Sequence, residues 1–138
     1  MNEALVAQIQ RHEGLRLKAY YCTAGKLTIG YGRNLEDVGI DIDEAELMLR
    51  KDLARCENEC LHAFPWFADL SEQRKDVILN MCFNLGLAGL RKFKKFLKAV
   101  EMGAYETAAH EMMDSDWAEQ VKGRALELAQ MMRGTEQA

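Results

Sequence analysis

The sequence predicts an α+β chain that is mostly helical, with a small β-hairpin lobe near the N-terminus and a larger helical lobe joined to it by a long helix. Two changes of periodicity carry this prediction. Between residues 15 and 31 apolar and polar residues alternate, the period of a strand, and from about Asp43 onward apolar residues recur at helical spacing. The third observation is size: 138 residues, 49% of them apolar, are enough for one domain with a real core, and no repeat, low-complexity tract or flexible linker divides them. The lobes are expected at 13–42 for the sheet and at 1–12 plus 63–138 for the helices, with 43–62 as the connecting helix within a single domain of 1–138.

The elements follow in order. Leu5, Val6 and Ile9 share one side of a short amphipathic helix over 3–12, stopped by Gly14. In LRLKAY, Leu15, Leu17 and Ala19 alternate with Arg16, Lys18 and Tyr20. After a turn at Ala24-Gly25, Leu27, Ile29 and Tyr31 alternate with Thr28 and Gly30, giving a sheet of two or three strands. The long helix places Leu49, Leu53, Cys56 and Cys60 on one face, with Asp43 as its N-cap, Glu46 as the partner of a capping box, and Pro65 to end it. A Ser71 cap opens a helix through Val77, Ile78, Met81, Cys82 and Leu85 that is apolar around its circumference, so it belongs in the core of the larger lobe. Three shorter helical stretches complete the chain, LRKFKKFLKAVEMG, YETAAHEMMDSD and WAEQVKGRALELAQMMRG. Gly103 and Gly134 act as stops, and Gly123 lies in a break between two helices.

Composition excludes several classes of function. A net charge of −4 and a pI near 5.4 argue against a nucleic-acid or anionic-membrane partner. The basic run RKFKK, residues 91–95, reads as a solvated helix face. MNEALVAQIQRHEG lacks a basic start, a long apolar run and a small-residue cleavage site, so a soluble, cytoplasmic product without stable membrane insertion is expected. Four cysteines, at 22, 56, 60 and 82, are then expected as reduced thiols. Cys56 and Cys60 lie four apart on one helix face with His62 nearby. That falls short of the donor set zinc needs, so these two and Cys82 read as small core residues and no metal or other cofactor is expected. Trp66 and Trp117 also read as core residues.

Glu13, by itself an ordinary acid at a helix end, stands in notable company. The pattern E-G-x-R-L-x-x-Y, a short turn and T-x-G-x-G occurs as Glu13-Gly14, Arg16-Leu17, Tyr20 and Thr28-Ile29-Gly30-Tyr31-Gly32. Beyond it come the run Arg74 to Gly86 containing N-M-C-F-N-L-G, then Phe93, Ala108-Ala109, Trp117, Arg124-Ala125 and Arg133-Gly134-Thr135. In these features the chain resembles the phage-type lysozymes of glycoside hydrolase family 24, the T-even bacteriophage lysozyme-like enzymes. The resemblance spans nearly the whole sequence, with a shortened connection between Arg33 and Asp43.

The resemblance implies a lysozyme-like two-lobed fold and muramidase activity, the hydrolysis of the β-1,4 bond between N-acetylmuramic acid and N-acetylglucosamine in peptidoglycan, in a cleft between the lobes. It makes Glu13 the general acid. Acetal cleavage requires the leaving oxygen to be protonated as the bond breaks, which a carboxyl can do near neutral pH if its pKa is raised. A desolvating cleft raises it, while Arg124, matching a family arginine near the acid, lowers it. The second carboxylate usual in glycosidases is missing, because Cys22 stands where the family commonly has aspartate. Three accounts stay open: a Cys22 thiolate takes the aspartate's role, water held by Thr28 suffices, or catalysis is lost and sugar binding kept. Asn80 and Asn84 match cleft positions and can meet N-acetyl and hydroxyl groups. Leu27 and Tyr31 are candidates for the sugar groove, although the hairpin's core face explains them equally. Arg33 stands where the family often has histidine, which puts that position's ion pair in doubt.

On this resemblance the partner is the peptidoglycan glycan strand, the protein is a monomer, and a phage or prophage endolysin made in the host cytoplasm reaches the wall through a separate membrane-lesion system. The rival expectation is a catalytically impaired module that binds peptidoglycan within a phage or wall-associated complex.

Overall fold

The structure is a computed structural model in which residues 2–134 are described; Thr135 of the closing motif lies outside them. The chain forms two compact units, one through Met48 and the other from Leu49 onward.

In the first unit, helix α1 (Glu3–Glu13) begins because the Asn2 side chain accepts hydrogen bonds from the amides of Ala4 and Leu5, at 2.8 and 3.2 Å. Such a cap is worth about 1 kcal/mol. Gly14, at φ 73°, ends the helix and turns the chain into β1 (Arg16–Tyr21). A five-residue connection, 22–26, leads to β2 (Leu27–Gly30), and a glycine turn leads to the short β3 (Arg33–Asn34). The sheet is antiparallel in the order β1-β2-β3, with an irregular register between Arg16 and Tyr20.

Burial departs from the expected alternation. Leu15, Leu17 and Ala19 are exposed, and α1 buries no residue, with Leu5 and Ile9 open to solvent. Leu27 and Ile29 are half-buried and Tyr31 is exposed, whereas Thr28, on the opposite face of β2, is 3% exposed. Strand periodicity gave the right element and the wrong inward face. The inward position is taken by a small side chain that satisfies its own hydroxyl, which donates to the Lys26 carbonyl at 2.9 Å.

Helix α2 (Ile42–Ala63) starts earlier than expected and carries a different cap. Asp41 Oδ1 accepts from the Glu44 amide at 2.8 Å and Glu44 Oε1 accepts from the Asp41 amide at 3.0 Å, a reciprocal capping box two residues before the expected Asp43 and Glu46. The choice follows from Arg33. Its guanidinium donates to both Glu44 oxygens at 2.9 and 2.8 Å and to the Gly39 carbonyl at 2.9 Å, so Glu44 is the acid held in place. This bidentate pair raises the Arg33 pKa and lowers that of Glu44, in each case chiefly through the hydrogen bond between them.

The second unit holds the core. A 3-10 turn (Phe67–Asp69) follows Pro65, and α3 (Glu72–Arg91) opens on Ser71, whose hydroxyl accepts from the Arg74 amide at 3.2 Å. Val77, Ile78, Met81 and Cys82 are fully buried, as expected of a central helix. The helix is broken at Gly86, φ 75° and ψ 161°, beyond which one further turn runs to Arg91. Around it lie α4 (Lys94–Glu101), α5 (Tyr105–Met113), α6 (Asp116–Val121) and α7 (Gly123–Arg133). The left-handed residue between α6 and α7 is Lys122, φ 45°, and Gly123 is the first residue of α7 rather than the break. Arg74 ties the end of α7 down: it donates to the carbonyls of Met132 and Arg133 at 2.7 and 3.0 Å and lies 3.6 Å above the Tyr105 ring. Trp117 is buried, and Trp66 is half-buried, stacked on Phe64 with centroids 4.9 Å apart. Arg91, Lys92, Lys94 and Lys95 are exposed, as a solvated face requires.

Candidate active site

The first unit brings the chemistry-bearing residues of the N-terminal motif onto one small frame. Glu13 is the last residue of α1 and is exposed. Its carboxylate lies directly on the turn between β2 and β3: a methyl group built on Gly32 would stand 2.7 Å from Glu13 Oε1 and 3.3 Å from its Cδ. Gly32, at φ 86°, therefore has two reasons to be glycine, its left-handed backbone and the acid that rests against it.

Cys22 closes the other hairpin. Its amide donates to the Lys26 carbonyl at 3.0 Å and its carbonyl accepts from the Gly25 amide at 2.8 Å, with Gly25 at φ 77°, the glycine-bearing three-residue loop common in hairpins. Hydrogen bonds from the amides of Lys26 and Ala24 lower the thiol pKa below its ordinary value against a smaller opposing effect of burial, and the Thr28 hydroxyl adds to the lowering. The Thr28 hydroxyl has one proton, which goes to the Lys26 carbonyl or to the sulfur. Cys22 and Thr28 thus form one cluster, and Glu13 with Gly32 forms a second contact on the same sheet.

Beside that contact is a feature that periodicity did not foretell. A groove of about 860 Å³ opens between the β2–β3 turn and the start of α2, walled by Ile29, Tyr31, Gly32, Val38, Ile40 and Met48 among others. Tyr31 is one of its walls, while Leu27 is not. Shape and an apolar lining with few polar groups suit it to a ligand face such as a sugar ring.

On the second unit two of the remaining candidates, Asn80 and Arg124, are paired with each other, and Asn84 is paired with Trp117. Asn80 Oδ1 accepts from Arg124 Nε at 2.8 Å, and Asn84 Oδ1 accepts from the Trp117 indole at 2.7 Å. Both amide oxygens are therefore engaged in packing, and the side-chain NH2 groups are what these residues can offer a ligand.

The description of known families decides which group this chain joins: the Phage lysozyme model matches residues 10–135. The chain belongs to the phage lysozyme family. Among its relatives, an endolysin of Acyrthosiphon pisum secondary endosymbiont phage 1 is 36% identical, the alignment covering 82% of this chain and 77% of the endolysin. The pre-baseplate central spike protein Gp5 of Enterobacteria phage T4 is 30% identical over 90% of this chain but only 26% of its own length. A protein of Dictyostelium discoideum named "Probable T4-type lysozyme 2" is 26% identical, with 91% of each chain aligned. Membership assigns the chain to the lysozymes, glycosidases whose substrate is peptidoglycan. No helix of the described residues is long and apolar enough to cross a membrane.

Proposed function

We propose that this phage lysozyme is a muramidase that cleaves the β-1,4 bond from N-acetylmuramic acid to N-acetylglucosamine, with Glu13 as general acid. The observation that carries the reading is the seat of the Glu13 carboxylate on Gly32, on the same small sheet as Cys22 and Thr28. In the proposed step Glu13 gives its proton to the glycosidic oxygen as that bond breaks and positive charge builds at the sugar's anomeric carbon.

Cys22 then stands in for the second carboxylate. Its thiolate, favoured by the turn amides and the Thr28 hydroxyl, takes the proton of an attacking water or bonds to the anomeric carbon itself. The anomeric configuration of the product separates these two routes. Tyr31 on the groove and Asn80, Asn84 and Arg124 on the helical unit are the side chains assigned to sugar contacts, with Leu27 the weakest of the set because it is not a groove wall. The likeness to a phage endolysin supports a role in host lysis, the protein being made in the host cytoplasm as a monomer and reaching the wall through a separate membrane-lesion protein.

Turbidity of purified Gram-negative sacculi under reducing conditions tests the reading. The natural protein clears the suspension, Glu13→Gln does not, and Cys22→Ser is slowed. The rival reading, a wall-binding module without catalysis, is favoured by the thiol in the aspartate position. An inert natural protein that is retained on sacculi, and that clears them once Cys22→Asp is made, selects that rival.

A further inference from the structure

The core of the helical unit contains a convergence of donors that the proposed reaction does not use. Cys56, Glu59 and Cys60 lie at i, i+3 and i+4 on one face of α2, and Cys82 comes to meet them from α3. The Cys56 and Cys82 sulfurs and a Glu59 carboxylate oxygen all lie within 4.8 Å of one another, with Cys82 Sγ 4.0 Å from Glu59 Oε1. Cys60 is buried one helical turn beyond Cys56 on the same face of α2. Cys60 and Cys82 are 0% exposed and Cys56 is 5% exposed.

Packing alone does not ask for this set. Alanine or valine fills a core site as well as cysteine does, and the half-buried Glu59 carboxylate turns toward buried sulfur with no opposite charge beside it. Among the described residues Glu59 makes no ion pair, and the Cys82 thiol is its one side-chain hydrogen-bond partner. A cation at the centre of the four groups would supply that charge.

We propose that Cys56, Cys60, Cys82 and Glu59 form a structural site for one thiophilic divalent cation of the zinc class. Three sulfur donors exclude the hard ions magnesium and calcium. Tetrahedral zinc–thiolate bonds of about 2.3 Å place the ligand atoms roughly 3.8 Å apart, so the Cys56, Cys82 and Glu59 atoms, within 4.8 Å of one another, close onto an ion by side-chain movements of about 1 Å or less, and Cys60 completes the set by turning its thiol toward it. The three thiol protons pass to solvent as the ion enters, and the ion clamps the C-terminal half of α2 to α3. Four protein donors leave no open position for water, so the ion supports the fold and takes no part in sugar cleavage.

The test uses the full chain carrying Cys22→Ser, so that the three core thiols are the only ones, reduced and free of oxygen. Titration with Co2+ is expected to give thiolate-to-cobalt charge-transfer bands and intense tetrahedral d–d bands that saturate at one equivalent and vanish when Zn2+ is added. Glu59→Gln, a partly exposed and conservative change, keeps the charge-transfer bands but weakens cobalt binding by about tenfold or more. Cys82→Ala removes the bands if it folds by circular dichroism. If it does not fold, the rise in melting temperature that Zn2+ gives the Cys22→Ser protein, and its reduction in Glu59→Gln, decides the matter. Absence of charge-transfer bands at one equivalent, bands that survive Cys82→Ala, unchanged affinity in Glu59→Gln, or no zinc-dependent rise in melting temperature overturns the site.

Discussion

Alanine at Gly32 tests the seat of the proposed general acid, and Gly30 provides the matched control. Both glycines have positive φ, 86° and 73°, so alanine at either carries the same kind of left-handed strain. That strain is about 1–2 kcal/mol. The two sites differ in what the new methyl group meets: nothing within 4 Å at Gly30, but Glu13 Oε1 at 2.7 Å and Cδ at 3.3 Å at Gly32, where ordinary contact begins at 3.4 Å. The carboxylate is the end of a flexible side chain, so it yields rather than unfolding the sheet, retreating by roughly 0.5–1 Å, a misplacement that can cost on the order of 100-fold in rate. Urea denaturation is expected to show similar losses of stability for Gly30→Ala and Gly32→Ala. Clearing of sacculi per folded molecule should fall by about 10- to 100-fold in Gly32→Ala and by less than about threefold in Gly30→Ala. Equal activity of the two variants would refute the argument that Gly32 positions Glu13.

Other consequences follow from the same geometry. If the Cys22 thiolate acts in the reaction, activity falls as pH drops through the lowered thiol pKa, and Cys22→Asp moves that acidic limb down into the carboxylate range; rate profiles of sacculus clearing against pH for the two proteins check this. Arg74→Ala removes two hydrogen bonds to the carbonyls that end α7 and the stacking on Tyr105, so it should destabilise by about 2–4 kcal/mol in urea, with Arg74→Lys recovering only part. Glu44 has its pKa lowered in the fold, so its contribution is present above the unfolded carboxylate pKa and lost as pH falls through the lowered value. Stability measured down an acid series should therefore decline less steeply for Glu44→Gln than for the natural chain, from a lower starting point.

The helices were legible in the sequence because their signals are local. Ser71, Pro65, Gly103 and Gly134 mark ends through chemistry within a turn of the helix, and the run from Val77 to Cys82 is too apolar for a surface. The α2 start was misplaced because two Asp-x-x-Glu boxes overlap, Asp41 with Glu44 and Asp43 with Glu46, and only the distant Arg33 distinguishes them. The burial of Thr28 in place of its apolar neighbours, and the strained Lys122 beside a more permissive Gly123, likewise depend on tertiary surroundings that no local pattern records.

In the site, Glu13, Cys22 and Thr28 stood out through a motif, but their roles in the fold did not. The seat of Glu13 on Gly32 joins residues 19 positions apart, and the amides around the Cys22 sulfur exist only once the hairpin closes. Asn80 and Asn84 were expected to face sugar, and each spends its amide oxygen on Arg124 or Trp117, pairings that cross between helices. Cys56, Cys60 and Cys82 are buried as the sequence suggested, but the approach of Cys82 and Glu59 to Cys56 is a tertiary contact between α2 and α3 that a pair spaced by four does not record.

The most direct test of the central claim is the chemistry of the new ends made in peptidoglycan. Sacculi digested with the natural protein, reduced with borodeuteride and analysed by mass spectrometry should carry label on N-acetylmuramic acid, with none above background when Glu13→Gln is used. Label on N-acetylglucosamine, anhydro-sugar ends, or label that persists with Glu13→Gln would contradict the account.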